Sequence, residues 1–297
     1  MKLHLPAGSA AAADDPLLVT PESAGWPRCG LRIVRLAPGS SRVLASGGDE
    51  LAVLPLSGGG CTVEVEGRRF ELSGRESVFA RVSDWAYVPI DAELGLSSSD
   101  GCELAIASSR AARRFDPAYV EAGDVPVELR GAGPSTRQLN NFMVPEVFDG
   151  ADKLICCEVF TPDGNWSSYP PHKHDASTEV DNEEIYYFRV GRVGSVAYSA
   201  DGYAVHRTYT DDRSIDETLI VRDGDVFLIP AGYHGPCVAA PGYPLYYLNV
   251  MASDAGPRKL AFTDDPSQHW IRATWEGMVL DPRLPMTSAA GIVEARR

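Results

Sequence analysis

The chain has 297 residues, 44% of them hydrophobic and 23% charged, enough for one large or two ordinary globular domains, each with a real core. Lys plus Arg number 27 against 41 Asp plus Glu, a formal charge of -14. That balance argues against nucleic acid as a partner, because phosphate binding rests on clustered cations.

The opening segment, MKLHLPAGSAAAADDP, is interrupted at Pro6 and turns acidic by Asp14, so a secretory leader is not expected. No apolar run approaches the ~18 residues of a membrane helix, and the expected compartment is the cytoplasm. The six cysteines (Cys29, Cys61, Cys102, Cys156, Cys157 and Cys237) form no CxxC pair and read as buried, reduced thiols.

Short strands between glycine and proline turns fill the first half: 31–36, 51–56, 62–65, 70–72, 78–82 and 104–107. VEVEGRRFEL alternates on both sides of Glu66-Gly67 and predicts a hairpin. The run from Ala111 to Ala122 predicts a turn or two of helix, and 114–137, rich in Gly, Pro and charge, reads as a linker. The second half repeats the style with 154–160, 185–190, 195–198, 219–221, 226–229 and 245–250.

The halves also match each other. DELAVLPLSG from Asp49 aligns with EEIYYFRVG from Glu183, and Phe79 aligns with Phe227. Glu50 then falls opposite Glu184, where it is expected to be a relic without partners. The fold class implied is all-β, two tandem barrels, divided as 1–130 and 131–297.

The chemistry is concentrated in the second half. Of six histidines, His172 and His174 stand one residue apart behind Pro170-Pro171 and share a face if the backbone is extended. Glu184 opens the strand EIYYFRV, with Gly191 seven positions later. His234 lies in IPAGYHGP, just past the 226–229 strand. Imidazole nitrogens with a carboxylate oxygen suit a divalent first-row metal. Glu179 is the competing carboxylate, but it sits in the polar STEVDNE stretch with no strand behind it. His4, His206 and His269 are left to structural or surface roles. No histidine occurs between His4 and His172, so the first half cannot supply an imidazole cage.

HxH followed by glutamate, six residues and glycine, then a Pro-Gly turn leading to histidine, resembles the cupin family. Residues 175–182 then read as an inserted loop, because nine residues separate His174 from Glu184. WSSYPPHKHD (166–175), EEIYYFR (183–189), PAGYHGP (230–236) and YYLNVM (246–251) closely resemble the 5-deoxy-glucuronate isomerase family of bacterial inositol catabolism. The 5-keto-4-deoxyuronate isomerases are a sister group with a shorter stretch between HxH and the glutamate.

The resemblance implies a bicupin whose first barrel lacks metal ligands and whose second holds one divalent ion through His172, His174, Glu184 and His234. Zinc or manganese is expected ahead of iron or nickel. It further implies an aldose–ketose isomerisation of a sugar acid. By alternation from Glu184, Tyr186 points inward as a catalytic candidate, and Tyr233, beside His234, is a second. Lys173, Arg189 and Arg137 are the cations available to a substrate carboxylate. An Fe(II) cupin dioxygenase and a non-enzymatic sugar-binding cupin are the rival readings. Exposed barrel edges favour a homo-oligomer.

Overall fold

The computed structural model describes residues 2–253 and 256–294. Each half forms two facing antiparallel sheets. In the first, Ala118–Val120, Trp85–Val88, Asp49–Gly58, Cys102–Arg110, Cys29–Leu36 and Leu17–Val19 lie side by side. Ser40–Ala45, Glu93–Ser98, Cys61–Val65 and Arg68–Leu72 face them. The expected hairpin is present: Val65 pairs with Arg68, and both turn residues have positive φ (53° at Glu66, 74° at Gly67), as a tight two-residue turn requires.

In the second half the larger sheet runs His4–Leu5, Val226–Ile229, Asn182–Arg192, Leu245–Ser253, Leu154–Thr161, Arg137–Met143 and Val127–Arg130. The facing sheet contains Asp216–Val221, Ala204–Tyr209, Tyr233–Ala239, His172–Lys173 and Thr263–Asp264. Relative to a division at 130/131, two strands pair across it. Leu5 is registered with Val226, and Val127–Arg130 pairs with Arg137–Met143.

The two large sheets pack back to back, which explains why their strands are apolar on both faces. In Asp49–Gly58, Leu51 and Val53 fill the first barrel, whereas Ala52, Leu54 and Leu56 enter the layer between the barrels. In Asn182–Arg192, Tyr186, Phe188 and Val190 fill the second barrel, and Ile185 and Tyr187 enter the shared layer. Period-two alternation thus sorts each strand between a barrel interior and the common core.

Two expected elements are absent. Residues 78–82 form a turn and coil rather than a strand. Val78, Phe79 and Val82 are buried in the layer between the barrels, with Phe79 edge-on to Phe160 and Tyr198. A short apolar run reads alike whether it is a strand or a plug. Residues 111–117 carry no helix; the segment instead gives the Ala118–Val120 strand and a single 3₁₀ turn at Ala122–Asp124.

The register also corrects the internal repeat. Trp85–Val88, rather than the segment around Phe79, pairs with Asp49–Gly58 as Val226–Ile229 pairs with Asn182–Arg192. Leu51 stands opposite Val88, and Glu184 opposite Ile229, so Leu51 occupies the position of Glu184. Glu50 is therefore the counterpart of Glu183, and it is not a relic. Its buried carboxylate accepts the amides of Asp152 (2.8 Å), Lys153 (2.6 Å) and Leu154 (2.7 Å) and the Tyr87 hydroxyl (2.9 Å). Glu183 accepts the amides of Arg28 and Cys29, at the start of the equivalent strand in the other barrel. A slip of one residue exchanges an inward carboxylate for one that ties the barrels together.

Candidate metal centre

The segment that carries the histidines is shaped by glycine. Gly232 has φ 90° and its amide donates to Asp175 (2.7 Å), which seats the turn before Tyr233-His234. Gly235 has φ 98°, and a Cβ there would lie 1.8 Å from the Ser168 carbonyl oxygen, so only glycine lets the two chains pass. His172 and His234 then sit directly opposite each other in neighbouring strands.

The eight residues inserted after His174 are pinched off at their base. The Asn182 amide donates to the His174 carbonyl (2.8 Å), and His174 Nδ1 lies 3.0 Å from the Asn182 carbonyl. Asn182 is thereby placed beside His174 as though the loop were absent, and Glu184 follows on the inward face. Glu179 stays outside on the loop, exposed and ion-paired with Lys259. The strand-borne carboxylate, not the one with the usual spacing, reaches the histidines.

His174, Glu184 and His234 are all buried, and one ligand atom of each lies within 4.8 Å of the others. Glu184 Oε2 is 3.1 Å from His174 Nε2 and 3.2 Å from His234 Nε2. His234 Nε2 has no hydrogen-bond partner despite its complete burial. An orphaned buried nitrogen facing a carboxylate and a second imidazole is a donor set that fits a divalent cation. The far nitrogens are oriented toward carbonyls: His174 Nδ1 toward Asn182, and His234 Nδ1 toward Gly232 at 3.4 Å.

His172 stands beside the three, its ring centroid 4.6 Å from that of His234 and 6.4 Å from that of His174. Its Nδ1 is directed at the Pro170 carbonyl (3.3 Å), and its nitrogens are not part of the group within 4.8 Å.

The electrostatics divide the imidazoles. Burial lowers His172 to about 3, with the neighbouring His174 adding to the effect. Burial also lowers His234, outweighing the attraction of Glu184. For His174 burial again acts downward, but the charge and hydrogen bond of Glu184 prevail and the pKa is raised.

The cage opens on a cavity lined by Arg137, Ser168, His172, His174, Glu184, Tyr186, Tyr247, Asn249 and Phe262, among others. Tyr186 points inward as alternation predicts, and Ser168 Oγ bridges its hydroxyl (3.1 Å) and that of Tyr247 (3.0 Å). Burial raises the Tyr186 phenol well above its ordinary value, so it remains a proton donor. Tyr233 is a correction. It lies on the opposite face of its strand from His234, tilted against Tyr209 and covered by the Lys173 ammonium 4.5 Å above its ring. The alternation that sends His234 inward turns its neighbour out.

Lys173 pairs with Asp211, and Arg189 with Glu103 and Asp223, both away from the cavity. His4 and His269 lie on carboxylates, Asp225 and Asp264 respectively. His206 is buried between Thr208 and Cys237, behind Tyr186. Ser168 and Tyr247 lie within the motifs WSSYPPHKHD and YYLNVM but are not singled out by residue type; Ser168 owes its place to a left-handed backbone (φ 47°).

The comparisons with known proteins agree along nearly the whole chain. A curated 5-deoxy-glucuronate isomerase of Geobacillus kaustophilus is 39% identical over 276 residues, 91% of this chain and 95% of the relative. One of Bacillus subtilis (strain 168) is 35% identical over 81% of this chain and 86% of its own length. Among solved structures, an IolB-like protein of Salmonella typhimurium LT2 superposes with a TM-score of 0.82 at 31% identity, covering 91% of this chain and 99% of the other. An oxalate decarboxylase of Lactobacillus farciminis gives a TM-score of 0.64 at 15% identity, over 94% and 96% of the two chains. That likeness speaks to the fold alone, an all-β bicupin. The KduI/IolB family model matches residues 5–271, and the chain belongs to that family.

Proposed function

We propose that the protein is a metal-dependent 5-deoxy-glucuronate isomerase of inositol catabolism, converting the aldose 5-deoxy-D-glucuronate to the ketose 5-dehydro-2-deoxy-D-gluconate. The observation that carries this reading is the buried convergence of His174, Glu184 and His234, the first two of which line a cavity. The curated relatives named 5-deoxy-glucuronate isomerase support it. His174, Glu184 and His234, with His172 as a fourth ligand from the adjoining strand, would hold one divalent ion.

The mixed nitrogen and oxygen donor set suits zinc or manganese, with iron and nickel as further members of the same class. When bound, such an ion supplies Lewis-acid stabilisation of the negative charge that develops on oxygen as the carbonyl moves from C1 to C2.

The chain's own groups have separable tasks. Tyr186, kept protonated by burial, would donate to the substrate from the cavity wall, and Ser168 Oγ lies between its hydroxyl and that of Tyr247. The apolar wall of Leu139, Val159, Met251, Leu260 and Phe262 excludes water around the reacting carbons and so limits loss of the migrating proton. Tyr186 is the cavity-lining residue assigned a catalytic part; Tyr233 faces elsewhere.

The test is metal analysis of the purified protein followed by an NMR assay on authentic 5-deoxy-D-glucuronate. Ketose formation by metal-replete protein without oxygen uptake is the expected result. Oxygen consumption points to a dioxygenase, and binding without turnover to a sugar-acid binding protein; either result, with no ketose formed, ends the isomerase reading.

A further inference from the structure

Arg130 and Arg137 line the cavity, Arg272 lies close to Arg137, and two of these three guanidinium groups are matched. Arg130 makes two 2.8 Å bonds to the carboxylate of Glu128, and Arg272 makes bonds of 2.5 and 2.7 Å to that of Asp264. The third, Arg137, is different. It is 6% exposed and lines the same cavity as His172, His174 and Glu184. Among the described residues its only partners are two carbonyl oxygens, those of Ser135 at 3.3 Å and Tyr169 at 3.4 Å, both reached from Nη1.

Those contacts are long for a charged donor, whose bonds to anionic oxygen run about 2.7–2.9 Å. A buried cation without an ion-paired counter-ion is costly, and among the charges around it Arg130 and Arg272 outweigh Glu128. Burial, with Arg130 and Arg272 beside it, holds the Arg137 pKa down to about 10, so the group is still charged at neutral pH.

We propose that Arg137 is the anchor for the carboxylate of the substrate, and that it makes the cavity selective for sugar acids over neutral sugars. The unused edge of its planar fork matches a carboxylate in two parallel bonds, a geometry that lysine does not reproduce. The idea takes the substrate's name from the isomerase reading, but the recognition itself requires only a carboxylate on a sugar-sized ligand. The other cations offered by the sequence are already neutralised by Asp211, Glu103 and Asp223. The carbonyl contacts at Ser135 and Tyr169 orient the fork without discharging it.

The test uses the metal-loaded full chain, its R137M and R137K variants, and two probes that report independently of turnover: D-glucuronate and its uncharged methyl ester, titrated calorimetrically. Wild-type protein is expected to bind the acid at least about tenfold more tightly than the ester. In R137M, kcat/KM for 5-deoxy-D-glucuronate is expected to fall about 100-fold, mainly through KM, with metal content unchanged and the acid preference lost. R137K, which keeps the charge but not the fork, should recover part of both.

A wild-type protein that binds acid and ester equally, or an R137M protein with unchanged KM and unchanged acid preference, overturns the proposal. If R137M does not fold, R137K decides: full retention of KM and preference refutes the forked anchor. If wild-type protein binds D-glucuronate selectively yet converts no 5-deoxy-D-glucuronate, the isomerase reading fails while the assignment of Arg137 stands.

Discussion

Replacing Glu50 with glutamine tests whether the two barrels are held together by buried carboxylates rather than by apolar contact alone. One carboxylate oxygen accepts the amides of Lys153 and Leu154; the other accepts the Asp152 amide and the Tyr87 hydroxyl. A glutamine amide must aim its NH₂ at one of these pairs. Aimed at Lys153 and Leu154, it orphans two buried donors. Aimed at the other side it orphans only the Asp152 amide, because the Tyr87 hydroxyl can rotate and accept.

The cheaper arrangement leaves one unsatisfied buried N–H and weakens the remaining bonds by removing their charge, a loss of about 2–4 kcal/mol. For a chain of this size that corresponds to a fall in Tm of about 3–6 °C, read by calorimetry on metal-loaded wild-type and E50Q proteins. Metal content and kcat at 25 °C should not change, since Glu50 lies outside the cavity lining and the metal-ligand group. A Tm within about 1 °C of wild type would refute the idea that these bonds hold the barrels together.

Other expectations concern the site. E184Q should lose bound metal on dialysis, whereas E179Q, altered on an exposed loop, should keep stoichiometric metal and kcat/KM within about twofold; the reverse pattern by elemental analysis would move the ligand to the loop. H174A should lose both metal and turnover, and full retention of bound metal in that variant would refute the cage. Metal affinity should climb with pH, about tenfold per unit, until pH passes the raised value of His174, because binding must displace that proton; His172 and His234, held neutral by burial, contribute no further rise. Titration calorimetry in buffers of different ionisation enthalpy reads the released proton directly, and an affinity that levels off below pH 6.5 would contradict the assignment. Y186F should lower kcat about tenfold or more with metal retained, while Y233F, on the opposite face, should leave kcat within about twofold; equal effects in steady-state kinetics would remove the distinction.

Strand positions were largely legible because alternation survives even where both faces are buried. The Cys61–Val65 and Arg68–Leu72 hairpin has its turn where Glu66-Gly67 predicts it, and Val226–Ile229 has the expected bounds. Legibility failed where burial came from the partner barrel. Val78, Phe79 and Val82 are apolar because they plug the shared core, and a single segment holds no record of which surface covers it.

The same ambiguity put Glu50 opposite Glu184: both are buried glutamates at the start of equivalent strands, and only cross-strand register shows that they point to opposite faces. Residue types and strand context were enough to point to His174, Glu184 and His234, which the fold brings together, whereas His172 stands just outside that group. Arg137 could be named from sequence only among other cations, because what separates it from Lys173 and Arg189 is that no carboxylate of the described residues is in ion-pair contact with it, a property of tertiary structure.

The clamp between His174 and Asn182 has a practical consequence. Because its two hydrogen bonds close the loop at the base, the number of residues between 175 and 181 is decoupled from the placement of Glu184. Asp175 must be kept for the Gly232 amide, but the tip around Glu179 is free to change length. That tip is a natural splice point for a fluorophore tag or an affinity peptide, carried on the outer rim of the cavity without disturbing the metal ligands beneath it.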